Sequence, residues 1–131
     1  MSELNMNNVA QEMNAALPNF YAFSKNFRNY LSNPSEHSIY AIFGDYAEML
    51  TILIDVRNEA DLTLYYAFLN RMIDFSDDYI SNCIDECIIE PLALARKDYY
   101  EESLKRLNTR GVELLMFCKA NPPLGEVPPP W

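Results

Sequence analysis

Glycine is scarce in this chain of 131 residues, which holds only three. Loops that wrap phosphate rely on glycine for tight turns and close backbone approach, so that class of site is excluded. Histidine occurs once, at His37, which leaves no set of imidazoles for a histidine-rich metal site or a catalytic triad. Positive charge is also short: Lys and Arg total 10 against 19 Asp and Glu, a net charge of −9. Nucleic acid and anionic lipid both demand a basic footprint, so neither nucleic acid nor membrane is expected as a partner. The longest apolar run, 49–54, is interrupted by Thr51 and is far too short to cross a bilayer. The opening residues, Met-Ser-Glu-Leu-Asn-Met-Asn-Asn, have neither the basic stretch nor the apolar run of a secretory leader. Cys83, Cys87 and Cys118 are odd in number and sit inside apolar patterns, unlike a disulfide framework. A cytoplasmic, reduced location is the expectation.

What is present is helical periodicity. Half of the residues are hydrophobic, enough for a buried core, and no segment alternates with a period of two. Met6, Val9, Met13, Leu17 and Phe20, then Phe23, Phe27, Tyr30 and Leu31, recur every three or four residues. Pro18 interrupts that stripe, so two helices are expected, over 5–16 and 18–31. After the turn at Asn33-Pro34-Ser35, with Ser35 a candidate cap, a helix is expected over 36–56. Ile39, Ile42, Phe43, Tyr46, Leu50, Leu53 and Ile54 form its inner face, and Gly44 serves a bend or a close helix contact. Arg57-Asn58 ends it. The next helix, 59–75, turns Leu62, Tyr65, Tyr66, Leu69, Met72 and Ile73 inward. Ser76 is then read as the cap of a helix over 77–89, with Ile80, Cys83, Ile84, Cys87 and Ile88 inside and Pro91 as its break. Tyr100, Leu104, Leu107, Gly111, Leu114 and Cys118 predict one continuous last helix to Lys119, with Asn108-Thr109-Arg110-Gly111 as the place where it would break if it does. The proline-rich tail is extended. It is frayed, offered as a ligand, or folded back to bury Trp131.

The expected fold is therefore all-α: a compact helical bundle or short helical-repeat stack of five to six helices. It forms one domain over 1–120 followed by a Pro-rich tail, 121–131.

The negative charge is local. Residues 1–35 sum to zero and residues 91–131 to +1. Residues 36–90 carry twelve acidic side chains against Arg57 and Arg71, a net of −10. Asp45, Glu48 and Asp55 share one outer face. Asp74, Asp77 and Asp78 form a second patch beside Asn70, and Asp85, Glu86 and Glu90 a third. Stacked helices would merge these into one acidic surface. Either it is a solubilising face, or it meets a basic partner, since like charges held together oppose folding and call for a compensating use.

Other chemistry is weaker. Cys83 and Cys87, four apart, supply at most half of a metal site, and two small buried hydrophobes are the simpler reading. Asp74, Asp77 and Asp78 lack the spacing of a calcium loop. A carboxylate pair for acid–base catalysis has no accompanying cleft signature. No cofactor, metal or enzymatic activity is expected. In the pairs Tyr65-Tyr66 and Tyr99-Tyr100 one ring is expected inside and its neighbour at the rim.

Leu17-Pro18-Asn19-Phe20, His37 and Phe43-Gly44-Asp45, with Asp78-Tyr79-Ile80-Ser81-Asn82 and Glu90-Pro91-Leu92 further on, resemble a family of small all-helical bacterial immunity-type proteins encoded beside polymorphic toxins. The resemblance spans about 8–118 and carries no catalytic motif. It implies an immunity protein that neutralises a cognate toxin, with Asp45, Glu48, Asp55, Asp74, Asp77, Asp78, Asp85, Glu86 and Glu90 as partner-binding residues facing a basic toxin site. The alternative is a helical adaptor or regulatory protein with a non-toxin partner.

Overall fold

The computed structural model describes residues 3–131, so the first two residues of the expected domain lie outside the described part. It is all-helical. The segments are α1 (Val9–Ala16), α2 (Phe20–Phe23), α3 (Lys25–Ser32), α4 (Ile39–Asp55), α5 (Glu59–Phe75), α6 (Asp78–Ile84), α7 (Glu90–Leu94), α8 (Lys97–Arg106) and α9 (Thr109–Ala120). A π-helical stretch, Asp85–Ile89, joins α6 to α7 without a break. Counting 78–94 as one helix gives eight among the described residues, rather than five or six. They pack as a compact bundle. No helix is long and apolar enough to cross a membrane.

The extra helices come from polar caps that the apolar stripe hides. Ser24 cuts the expected 18–31 helix in two: its backbone is extended, and its side chain accepts the Phe27 N–H. The first helix starts at Val9, later than expected. Ser38 rather than Ser35 caps α4, accepting from the Tyr40 N–H at 3.1 Å, while Pro34–Glu36 forms a 3-10 turn. Asp77 rather than Ser76 caps α6, its Oδ1 accepting from the Ile80 N–H at 2.9 Å. A carboxylate there also suits the positive end of the helix dipole.

Two helix ends differ from the sequence reading in opposite ways. The last helix is not continuous. Leu107 and Asn108 are extended, and Asn108 caps α9 by accepting the Gly111 N–H. Asn108 also receives support from α5, its N–H donating to Asn70 Oδ1 at 2.9 Å. That shift of phase puts Leu115, not Leu114, fully inside. Pro91, by contrast, does not break its helix. A proline lacks the N–H for an i→i−4 bond and its ring crowds the carbonyl four residues back. The preceding turn widens instead, the Glu90 N–H reaching the Asp85 carbonyl five residues back, and the helix passes through.

Every residue placed on the inner faces of α4 and α5 is buried. The centre is aromatic: Phe20 lies 4.9 Å from Phe27, 5.9 Å from Tyr46 and 6.4 Å from Tyr65, ring centre to ring centre. Tyr65 and Tyr66 are both buried, as are Tyr99 and Tyr100, so the split into an inner and a rim ring does not hold. Their hydroxyls explain it. Tyr65 donates to the Pro18 carbonyl at 2.7 Å and Tyr66 bonds Ser103 at 2.8 Å, so both rings can enter without an unsatisfied oxygen. Leu4 is buried too. Its N–H donates to the Phe75 carbonyl and its carbonyl accepts the Asp77 N–H, a single parallel bridge that pins the N-terminal segment to the α5–α6 junction. At the other end the tail turns back, and half-buried Trp131 packs against the core.

Candidate functional site

Four of the nine acidic residues singled out in the sequence hold the bundle together. Asp45 accepts from Ser24 Oγ at 2.6 Å and Asn26 Nδ2 at 3.1 Å, tying α4 to the start of α3. Asp55 accepts from the Tyr99 hydroxyl at 3.0 Å and pairs with Arg96 at 3.3 Å. Asp74 accepts from Asn108 Nδ2 at 3.0 Å, and Asp77 is the α6 cap. Asp85 is half-buried, and burial raises its carboxyl above the ordinary range even though Arg110 pulls the other way. Glu90 is also raised, by burial first and then by Glu126 and Glu86. Glu48, Asp78 and Glu86 are exposed, and among the described residues none of their carboxylates has a hydrogen-bond or ion-pair partner.

Ion pairing is concentrated elsewhere. Arg96, Lys97, Lys105 and Arg106 on and beside α8 take up Asp55, Glu59, Asp98, Glu101 and Glu102, and Arg71 reaches Glu12. Of the twelve acidic side chains in 36–90, only Asp55 and Glu59 meet a cation in an ion pair among the described residues. Glu48 on α4 and the acidic side chains of 78–94 have no such pair.

Beside that charge lies an aromatic pair that the sequence did not reveal. Tyr40 is the second residue of α4 and Tyr79 the second of α6. Their ring centres are 6.1 Å apart with the planes at 89°, edge to face, a favoured geometry for two quadrupoles. Both remain accessible, at 36% and 41%. Cys83 lies buried beside them. Its thiol, ahead of burial and Glu86, pushes the Tyr40 hydroxyl up to about 12. Burial chiefly raises Tyr79. Both hydroxyls thus stay protonated at neutral pH. Each tyrosine sits in a first helical turn, off the apolar stripe, and that was the only local signal.

The thiols are inert. Burial raises Cys83, and it takes Cys87 and Cys118 to about 11, whereas a nucleophile or ligand needs a thiolate. Among the described residues no three His, Cys, Asp or Glu side chains gather as a metal cluster. His37 is exposed in the extended link before α4. The site offers aromatic faces and carboxylates without ion-pair partners.

Residues 10–115 match the family described as Domain of unknown function (DUF7674). No curated protein and no solved structure matches the chain.

Proposed function

We propose that this chain, which belongs to the family described as Domain of unknown function (DUF7674), is a protein-binding module of the immunity type: it holds a cognate toxin and covers its working surface. The reading rests on one observation, the ten acidic side chains of 36–90 that have no ion-pair partner. Concentrated like charge opposes folding, while a basic partner turns the same field into fast association and correct register. Toxins that act on nucleic acid or nucleotides carry basic working surfaces, so an acidic cover is the complementary shape of charge.

The structure narrows which carboxylates are free for this role. Glu48, Asp78 and Glu86 are exposed and unengaged, so they carry the contact, with Glu90 at the margin. Asp45, Asp55, Asp74 and Asp77 act by fixing the helices that present them.

The test is to look for a toxin reading frame beside the gene and to co-express its toxic domain with the chain; absence of such a frame counts against the immunity reading. The native chain should restore growth, and the triple variant Glu48→Lys, Asp78→Lys, Glu86→Lys should lose the rescue. In binding assays the same variant should weaken association and flatten its salt dependence. Unchanged affinity in the triple variant would reject the acidic face, and absence of rescue by the native chain would reject the immunity reading in favour of an adaptor with another partner.

A further inference from the structure

Three cations in this fold lie over tyrosine rings. Arg96 lies 4.3 Å from the Tyr99 ring centre while pairing with Asp55 and Asp98. Arg106 lies 5.9 Å from the Tyr66 ring centre while pairing with Glu59 and Glu102. Lys119 stands 4.5 Å from the centre of Tyr100. In the two arginine cases the guanidinium takes an aromatic face and two carboxylates together, which its planar fork allows and an ammonium cannot match.

The Tyr40–Tyr79 pair has the receiving half of that arrangement without the cation. Two accessible rings from different helices stand edge to face. Exposed Glu86 follows Tyr79 and buried Cys83 at spacings of seven and three, which puts it on the same helical face, and exposed Asp78 precedes Tyr79 in the same turn. No Lys or Arg pairs with either acid among the described residues.

We infer that the Tyr40–Tyr79 pair and Glu86 form a surface docking site for an arginine of a protein partner. The inference rests on the protein-binding function proposed above and names the chemistry of the contact. Charge selects the occupant. A second copy of this chain would bring another −9, and three of its six arginines, Arg71, Arg96 and Arg106, are committed to internal ion pairs.

Blocked Leu-Gly-Arg-Gly peptide, its lysine counterpart and its neutral citrulline counterpart would be titrated into protein with labelled tyrosine rings and followed by NMR. The arginine peptide should shift the Tyr40 and Tyr79 ring signals in a saturable way, with lysine weaker and citrulline weaker still by roughly tenfold. Tyr40→Leu should abolish the shift at Tyr79. Glu86→Gln, an exposed change that leaves the core intact and relieves repulsion on Glu90, should weaken binding several-fold while the thermal melt does not fall. Equal binding of citrulline, shifts confined to other residues, or no saturable shift at millimolar peptide would overturn the arginine site. If the captured partner binds Tyr40→Leu and Glu86→Gln as tightly as the native chain but fails with the triple charge reversal, the arginine site is wrong and the binding function stands. If the peptide binds as expected and no toxin is neutralised, the arginine site stands and the immunity reading falls.

Discussion

Gly44 faces solvent in the middle of α4, and nothing lies within 4 Å of where a Cβ would stand. No close helix contact accounts for it, contrary to that part of the sequence reading. Gly44→Ala should therefore stabilise the protein by about 0.5–1 kcal/mol, read as a rise of a few degrees in Tm. Gly111 is the opposite case. A Cβ there would stand 3.0 Å from Leu107 Cβ and 3.1 Å from Ile73 Cδ1, so the close approach expected of this glycine is what the bundle uses. Identical residues with opposite roles are not separable in sequence, because the difference lies in what another helix does. The buried tyrosines teach the same lesson. Ser103 donates its single hydroxyl proton to the Tyr99 carbonyl at 2.8 Å, so Tyr66 must be the donor in its bond to Ser103. Tyr66→Phe removes that donor from a closed site and should cost about 1 kcal/mol in denaturant titration.

Helices α4 and α5 were legible almost residue by residue, because seventeen-residue elements carry enough turns for the stripe to outweigh local exceptions. The shorter elements were not. An apolar phase that continues from Leu107 to Gly111 looks unbroken, yet Asn108 ends one helix and starts another with four bonds: to the Gly111 N–H, the Asn70 side chain, the Asn70 carbonyl and Asp74. Asn108→Ala should cost about 1–2 kcal/mol and loosen α9 first, seen as faster amide exchange in its opening turn. Pro91 misled in the other direction, since a π turn absorbs it. The use of the acidic residues was hidden: nothing local tells that Asp45 is taken by Ser24 or that Glu86 has no such partner among the described residues. Tyr40 and Tyr79 come together only through the way α4 meets α6, and interhelical register has no local pattern.

At the scale of the whole molecule, charge and pH tie the parts together. Burial, reinforced by Glu126 and Glu86, holds the Glu90 carboxyl above its ordinary range, so its ionisation opposes folding. That penalty is absent at low pH, grows as pH rises through the ordinary glutamate range, and is complete above the raised folded value. Glu90→Gln should raise Tm at pH 7, with the gain shrinking to nothing on acidification. Glu102 has the reverse sign. Its hydrogen bond from Arg106 holds its carboxyl below the ordinary range, giving stability that is present at neutral pH and lost as pH falls through the folded value. Glu102→Gln should cost about 1 kcal/mol at pH 7, and this loss too should fade in acid. Paired melts of the two variants across pH 3.5–7 separate the opposite trends.

The Leu4 bridge sets an order of events. Its two backbone bonds join Leu4 to residues 75 and 77, so during synthesis this segment has no place to dock until about seventy further residues have followed it. Closing so long a span is a costly step for the chain, and it belongs after α4, α5 and the start of α6 have met. The amides of Leu4 and Asp77 should therefore gain protection together and late in pulse-labelled refolding. The junction that sets Tyr79 in position is then among the last parts of the molecule to become fixed, and the proposed arginine site would be completed by the final tether rather than by the core.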